Sequence, residues 1–186
     1  MYNNHPDLKR IVITTEDIQA RVKALAESIS NDYRDVERLY LIGILKGAFI
    51  FLADLCRYLT VPHVVDFMAV SSYGSGARES SGSVRITLDL NTNLEGRNVI
   101  LVEDIVDSGY TIASVLRILE TRHPHSLKVC TLLDKPERRE VEVPIDYCGF
   151  VIPNKFVFGY GLDLDGFYRN LPFVATVDLE RYKPEE

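Results

Sequence analysis

The chain has 186 residues, 46% hydrophobic and 26% charged, with a formal net charge of -6. That is chain enough for one domain with its own core, and the composition is that of an ordinary globular protein. The acidic balance lends a nucleic-acid partner no electrostatic support, and no apolar run approaches the roughly 20 residues of a membrane span, so neither nucleic acid nor membrane is expected as a partner. In chain order, LKRIVI reads as a short strand. TTEDIQARVKALAESISNDY opens on Thr and acidic residues, and Ile18, Val22, Leu25, Ala26 and Ile29 recur at helical spacing, which predicts a capped amphipathic helix. RLYLIGIL is a continuous apolar run, as in a parallel strand covered on both faces. KGAFIFLADLCRYL predicts a second helix and HVVDFMAV another strand.

SSYGSGARESSGS follows, rich in Gly and Ser, and predicts a flexible loop over residues 71–83. VRITLDL resumes a strand, Glu95-Gly96 marks a turn, and NVILV is the strongest strand signal, ending at Glu103. YTIASVLRILETR predicts a helix that stops near His123-Pro124. LKVCTLLDK is a strand, and YCGFVIP, KFVFGYG and FVATVD are shorter strand-like pieces. Strand and helix alternate through the first two thirds, which predicts an α/β fold with a mostly parallel, doubly wound sheet. Residues 1–12 and 145–186 are expected to form a small hood over it, within one domain spanning 1–186.

Cys56, Cys130 and Cys148 are far apart and odd in number, which argues for free thiols in a reducing compartment. The N-terminal MYNNHPDLKR has no apolar signal-peptide core. A cytoplasmic protein is expected. His123 and His125 bracket a proline and read as a turn rather than metal ligands.

The stretch VILVEDIVDSGYTIASV carries the chemistry. An apolar strand runs into Glu103, Asp104 and Asp107, then Ser108, Gly109, Tyr110 and Thr111, then a helix. Ligands of open α/β sheets bind at the carboxyl ends of strands, and a helix N-terminus offers free N–H groups and a favourable dipole to an anion. Asp107 to Thr111 can therefore wrap a monophosphate. The carboxylates cannot bind that phosphate themselves; adjacent acids suit the two hydroxyls of a ribose, or a Mg²⁺ that bridges oxygens. The expected ligand has a phosphate at one end and a diol a few ångströms away, as in a ribose 5-phosphate. Lys46-Gly47, between a strand and a helix, is a second anion-ready turn.

The acidic strand-turn-helix resembles the phosphoribosyl diphosphate motif of type I phosphoribosyltransferases, and from about Ile11 to Val177 the chain resembles the hypoxanthine-guanine phosphoribosyltransferase family in its short bacterial form. That resemblance implies the corresponding fold with its hood, Mg²⁺ as cofactor, a homodimer or homotetramer, and transfer of phosphoribosyl from phosphoribosyl diphosphate to hypoxanthine or guanine, giving IMP or GMP and pyrophosphate. It also implies roles for residues. Lys46-Gly47 would bind pyrophosphate, with a cis peptide at Leu45-Lys46, and Arg169 would bind it as well. Ser72-Tyr73 would lie on a loop that closes over the reactants. Glu103 and Asp104 would hold the ribose hydroxyls and metal, and Asp107 would act as general base. Lys135 would donate to the purine 6-oxo group, Phe156 would stack on the base, Val157 would contact it through its backbone, and Asp163 would help hold a second Mg²⁺ beside the purine. Ser108 stands where the family often has Thr, and Tyr110 departs from the family's Lys or Asn-like residue; Ser keeps the hydroxyl. A xanthine-preferring enzyme and a non-catalytic nucleotide sensor on the same fold are the alternatives, the second disfavoured by the acidic charge and by the presence of Asp107, Lys135 and Phe156.

Overall fold

A computed structural model describes residues 8–72 and 84–177. The elements in chain order are β1 (Leu8–Ile13), α1 (Thr15–Asp32), β2 (Leu39–Leu45), α2 (Phe49–Tyr58), β3 (His63–Ser72), β4 (Val84–Leu88), β5 (Asn98–Val106), α3 (Tyr110–Glu120), β6 (Ser126–Asp134), β7 (Tyr147–Val151), β8 (Val157–Phe158) and β9 (Val174–Val177), with a short 3-10 turn at Pro136–Arg138. Thr14 caps α1: its hydroxyl accepts from Asp17 N at 3.1 Å and donates to Asp17 Oδ2 at 2.7 Å, a reciprocal cap with Asp in the acidic position. Both α2 and α3 lack a side-chain cap, and α3 starts from Gly109 with φ +93°. Tyr73 and residues 74–83 of the expected loop lie outside the described residues.

Six strands form one sheet in the order β4-β3-β2-β5-β6-β7, and β1, β9 and β8 form a second, three-stranded antiparallel sheet. All pairings of the large sheet are parallel except that of β3 with β4. Successive residues of β2 and β5 point to opposite faces, and both faces are covered. Leu39, Leu41, Ile100 and Val102 pack with α1 and α2. Tyr40, Ile42, Val99 and Leu101 pack with α3 through Ile112, Val115 and Leu119. This double cover explains why these strands read as unbroken apolar runs. Phe158, Leu164, Leu171, Phe173 and Ala175 form the core of the small sheet.

Two boundaries differ from the sequence reading. β7 hydrogen-bonds to β6 in the large sheet, so the C-terminal part of the hood begins beyond Val151 rather than near residue 145. β5 continues through Glu103 and Asp104 to Val106, because β6 pairs with it as far as Val106↔Asp134. The acids therefore sit within the strand's last turn of pleat. The chain runs from β2 to β3 on one side and returns to β5 on the other, so the direction of winding reverses between β2 and β5. The crevice of a doubly wound sheet opens at that reversal, and it lies between the Lys46-Gly47 turn and the acids of β5.

Candidate active site

The turn between β5 and α3 is held open by glycine. Gly109 has φ +93°, and a Cβ there would lie 2.2 Å from the Val141 carbonyl oxygen. Ser108 O accepts from the N–H groups of Glu140 and Val141 at 2.9 and 3.0 Å, so the 136–141 segment braces the turn from behind. A cavity of about 270 Å³ faces the turn, lined by residues 103–109, Thr111 and Ile112. The Tyr110 side chain instead lines a separate hollow with Arg117 and Val143.

Glu103 and Asp104 are both buried. Neighbours on a strand start out on opposite faces, but at the end of β5 the two carboxyls come within reach of each other and perturb one another. Burial first, and the adjacent Asp104 carboxyl second, push Glu103 well above the usual carboxyl range; burial also raises Asp104, against the pull of the Arg169 charge. Glu103 Oε2 is buried with no hydrogen-bond partner. An orphaned carboxylate oxygen beside a second carboxyl is a costly apo arrangement. It fits a hard divalent cation, whose charge reverses the local preference. Of the divalent cations, Mg²⁺ needs only one or two carboxylates and fills its shell with waters and substrate oxygens.

Opposite these acids, the Leu45–Lys46 peptide is cis, as the resemblance implied. Gly47 is forced to be Gly, because an added Cβ would lie 1.6 Å from Asp104 Oδ2. Gly161 approaches from the hood with φ +101°, and its Cβ would lie 2.1 Å from Gly47 O. Arg169 Nη1 donates to Gly161 O at 2.6 Å, and Arg169 Nη2 pairs with Asp163 Oδ1 at 2.7 Å. Asp163 Oδ2 also accepts from Gly166 N at 2.8 Å. Asp163 is thus occupied with Arg169 and its own turn and forms no three-carboxylate cluster with Glu103 and Asp104.

The β5–β6 register brings two distant motifs together. With Val106 opposite Asp134, the next residues, Asp107 and Lys135, emerge side by side. Lys135, only 6% exposed, places Nζ 3.5 Å from Asp107 Oδ2, and its N–H bonds Val106 O at 3.0 Å. Arg138 Nε lies 3.1 Å from Asp107 Oδ1, but off the line of a hydrogen bond, so that oxygen has an ionic neighbour and no donor. Arg139 is a half-buried clamp: Nε donates to Asp107 O at 3.1 Å, and Nη2 reaches Val106 O and Asp134 Oδ1. Residues 152–154 cross the same turn, through Ile152 N to Asp134 O at 2.9 Å and Asn154 N to Glu137 Oε2 at 3.2 Å. They lead into Phe156, which is 53% exposed, and Val157, which is buried in β8. A larger cavity of about 640 Å³ borders Phe156 with Lys9, Arg10 and Lys155. Ser72 ends β3.

The family comparison accords with this geometry. A phosphoribosyl transferase domain matches residues 13–165. A hypoxanthine-guanine phosphoribosyltransferase of Mycobacterium avium is 51% identical over 182 residues, covering 95% of this chain and 89% of that protein. The chain belongs to the hypoxanthine-guanine phosphoribosyltransferase family. A Salmonella typhimurium hypoxanthine phosphoribosyltransferase is 49% identical, covering 91% of this chain and 95% of that one. The structure of a Staphylococcus aureus hypoxanthine phosphoribosyltransferase superimposes with a TM-score of 0.93 at 41% identity, covering 99% and 100% of the two chains. One from Trypanosoma cruzi, solved in complex with the product IMP, gives 0.90 at 43% identity, covering 97% and 100%. The fold is that of the type I phosphoribosyltransferases, to which these family structures belong.

Sequence reasoning missed Arg138, Arg139 and Gly161. DKPERRE carries three acids and three basic residues and, on sequence alone, marks only a polar turn after the strand. Its one signal was Asp134-Lys135 at the end of an apolar strand, since the carboxyl ends of neighbouring parallel strands converge.

Proposed function

We propose that this protein is a purine-salvage enzyme that transfers the 5-phosphoribosyl group of phosphoribosyl diphosphate to hypoxanthine or guanine, giving IMP or GMP and pyrophosphate. The observation that carries this reading is the approach of Lys135 to Asp107 at 3.5 Å at the rim of an acid-lined phosphate turn. A 6-oxopurine offers an acceptor to Lys135 and the N7–H to Asp107, two atoms on the same edge of the ring. Adenine offers a donor where Lys135 needs an acceptor.

In this reading the phosphate rests on the N–H groups and hydroxyls of Ser108, Gly109, Tyr110 and Thr111. Glu103 and Asp104 face the ribose hydroxyls. Lys46, Gly47 and Arg169 receive the pyrophosphate, and Phe156 stacks on the base while Val157 contacts it through its backbone. Asp107 takes the N7 proton as N9 attacks C1, the C1–O bond to pyrophosphate breaking ahead of full attack. The acids stabilise the positive charge that grows on the sugar. Glu103 and Asp104, and Asp163 near Arg169, are the residues that would hold Mg²⁺, which when bound neutralises the diphosphate and makes it a better leaving group. Ser72 and Tyr73 open the segment that would exclude water from the cationic sugar. A homodimer or homotetramer in the cytoplasm accompanies this assignment. A Trypanosoma cruzi relative has been studied for the effect of its C-terminal region on oligomeric state and activity, and no helix of the described residues is long and apolar enough to cross a membrane.

The test is a spectrophotometric assay with phosphoribosyl diphosphate, Mg²⁺ and each of hypoxanthine, guanine, xanthine and adenine. Turnover of the first two, abolished by chelation and nearly absent with adenine, is expected. Preference for xanthine would move the assignment to another base. Tight nucleotide binding without turnover would make the protein a sensor.

A further inference from the structure

Tyr160 has no part in the chemistry above, yet it is 3% exposed and sits next to Gly161. Its hydroxyl donates to Asp54 Oδ2 at 2.7 Å. Burial and that carboxylate push the phenol well above its ordinary value, so it remains a donor. Its backbone has φ +50°, a conformation that an L side chain holds only where its surroundings impose it. Tyr160 N–H bonds Leu171 O at 2.8 Å.

The two ends of this hydrogen bond stand on the two halves of the pyrophosphate subsite. Asp54 lies on α2, the helix that follows the Lys46-Gly47 turn. Tyr160 opens the hood segment that carries Arg169. Gly161 rests against Gly47 O with no room for a Cβ. Its N–H bonds Arg169 O at 2.9 Å, and its carbonyl accepts from Arg169 Nη1. Backbone contact sets a limit of approach between the hood and the turn. Apolar packing of Tyr160, Leu162 and Val174 against the main core holds the hood on but is non-directional, and the Tyr160–Asp54 hydrogen bond adds a directed link between hood and α2. Asp54 is itself fixed by Gln19 Nε2 of α1 at 3.1 Å.

We infer that the Tyr160–Asp54 hydrogen bond is a positioning strut that docks the hood on α2 and so sets the spacing between Arg169 and the Lys46-Gly47 turn for pyrophosphate. The inference deepens the functional reading and rests on it. Wild-type turnover, and wild-type binding of inorganic pyrophosphate with Mg²⁺ by calorimetry, are therefore measured first. A wild-type chain that shows neither overturns the functional reading, and the strut's role with it. Given both, Tyr160→Phe is expected to weaken pyrophosphate binding and raise the KM for phosphoribosyl diphosphate by roughly fivefold or more, leaving the KM for hypoxanthine unchanged. Asp54→Asn keeps an acceptor and should stay near wild type. Asp54→Ala should match Tyr160→Phe, and combining the two should add little. Tyr58→Phe, at the outer end of the network, where Tyr58 Oη bonds Gln19 Oε1 at 3.3 Å, should change neither constant. Unchanged pyrophosphate affinity in Tyr160→Phe, or an equal rise in both KM values, would overturn the strut.

Discussion

Replacing Gly47 with Ala adds one methyl group and should disable the site. Its Cβ would lie 1.6 Å from Asp104 Oδ2 and 2.4 Å from Asp104 Cγ. A carbon and an oxygen in ordinary contact stand about 3.4 Å apart, so the two groups must separate by roughly 1.8 Å. Asp104 is buried, and its Oδ1 accepts from Ile105 N at 2.8 Å. The Lys46-Gly47 turn has Gly161 against its carbonyl oxygen. Whichever group moves, a residue proposed to hold the metal or the pyrophosphate leaves its place. Misplacement of about 1 Å can cost around 100-fold in rate, so kcat/KM for phosphoribosyl diphosphate should fall at least that far. Overpacking costs about 1–3 kcal/mol, and each kcal/mol lowers Tm by about 2–4 °C in a chain of this size. Steady-state kinetics and a thermal melt read both. A Gly47→Ala enzyme with wild-type KM for phosphoribosyl diphosphate and wild-type kcat would refute the reasoning, because the contact is too short to be absorbed silently.

Asp107→Asn should lower kcat by roughly 10²- to 10⁴-fold while phosphoribosyl diphosphate still binds; near wild-type kcat would remove Asp107 as base. Lys135→Ala should reduce kcat/KM for hypoxanthine by about 10- to 100-fold and erode the preference over adenine, and a full preference retained would place 6-oxo recognition elsewhere. Glu103→Gln should abolish most turnover yet raise Tm in the absence of substrate and metal. Burial raises the Glu103 carboxyl above its ordinary 4.5, so its contribution to stability is complete below that pH and is lost as pH rises through the folded value. The Tm advantage of the glutamine variant should accordingly be absent in acid and grow toward neutral pH, and a constant difference across the range would refute the origin assigned to it.

Much of the fold could be read from periodicity. β2 and β5 are apolar on both sides because helices cover both, and Thr14, Glu16 and Asp17 mark the start of α1. The end of β5 could not be read that way. Asp and Glu are depleted from strands, so the pattern closed at Val102, whereas pairing with β6 carries the strand on to Val106. Strand order is a tertiary fact, and nothing local in YCGFV separates an edge strand beside β6 from a strand of the hood. The acids and the glycine turn were legible because one contiguous segment holds them. The Asp107–Lys135 contact was not, since its two residues meet only through the β5–β6 register. Arg139 belongs to the same class: its partners Asp107, Val106 and Asp134 lie on two strands that the sequence does not order.

The location of these features follows from what the site must hold. Two buried carboxyls side by side, one with an orphaned oxygen, oppose folding. The surroundings compensate with charged clamps rather than added apolar packing. Arg169 faces Asp104 from the hood, and Arg139 ties the ends of β5 and β6 together behind Asp107. Each clamp binds backbone carbonyls as well as an acid, so it fixes the path of the chain and leaves the carboxylates of the cavity free to meet a cation or a diol. Neutralising the acids outright with arginines would give a more stable apo protein and a site with nothing left to offer a ribose. The arrangement therefore places its cost where ligand binding can relieve it, and saturating Mg²⁺ with phosphoribosyl diphosphate should stabilise the chain more than either alone.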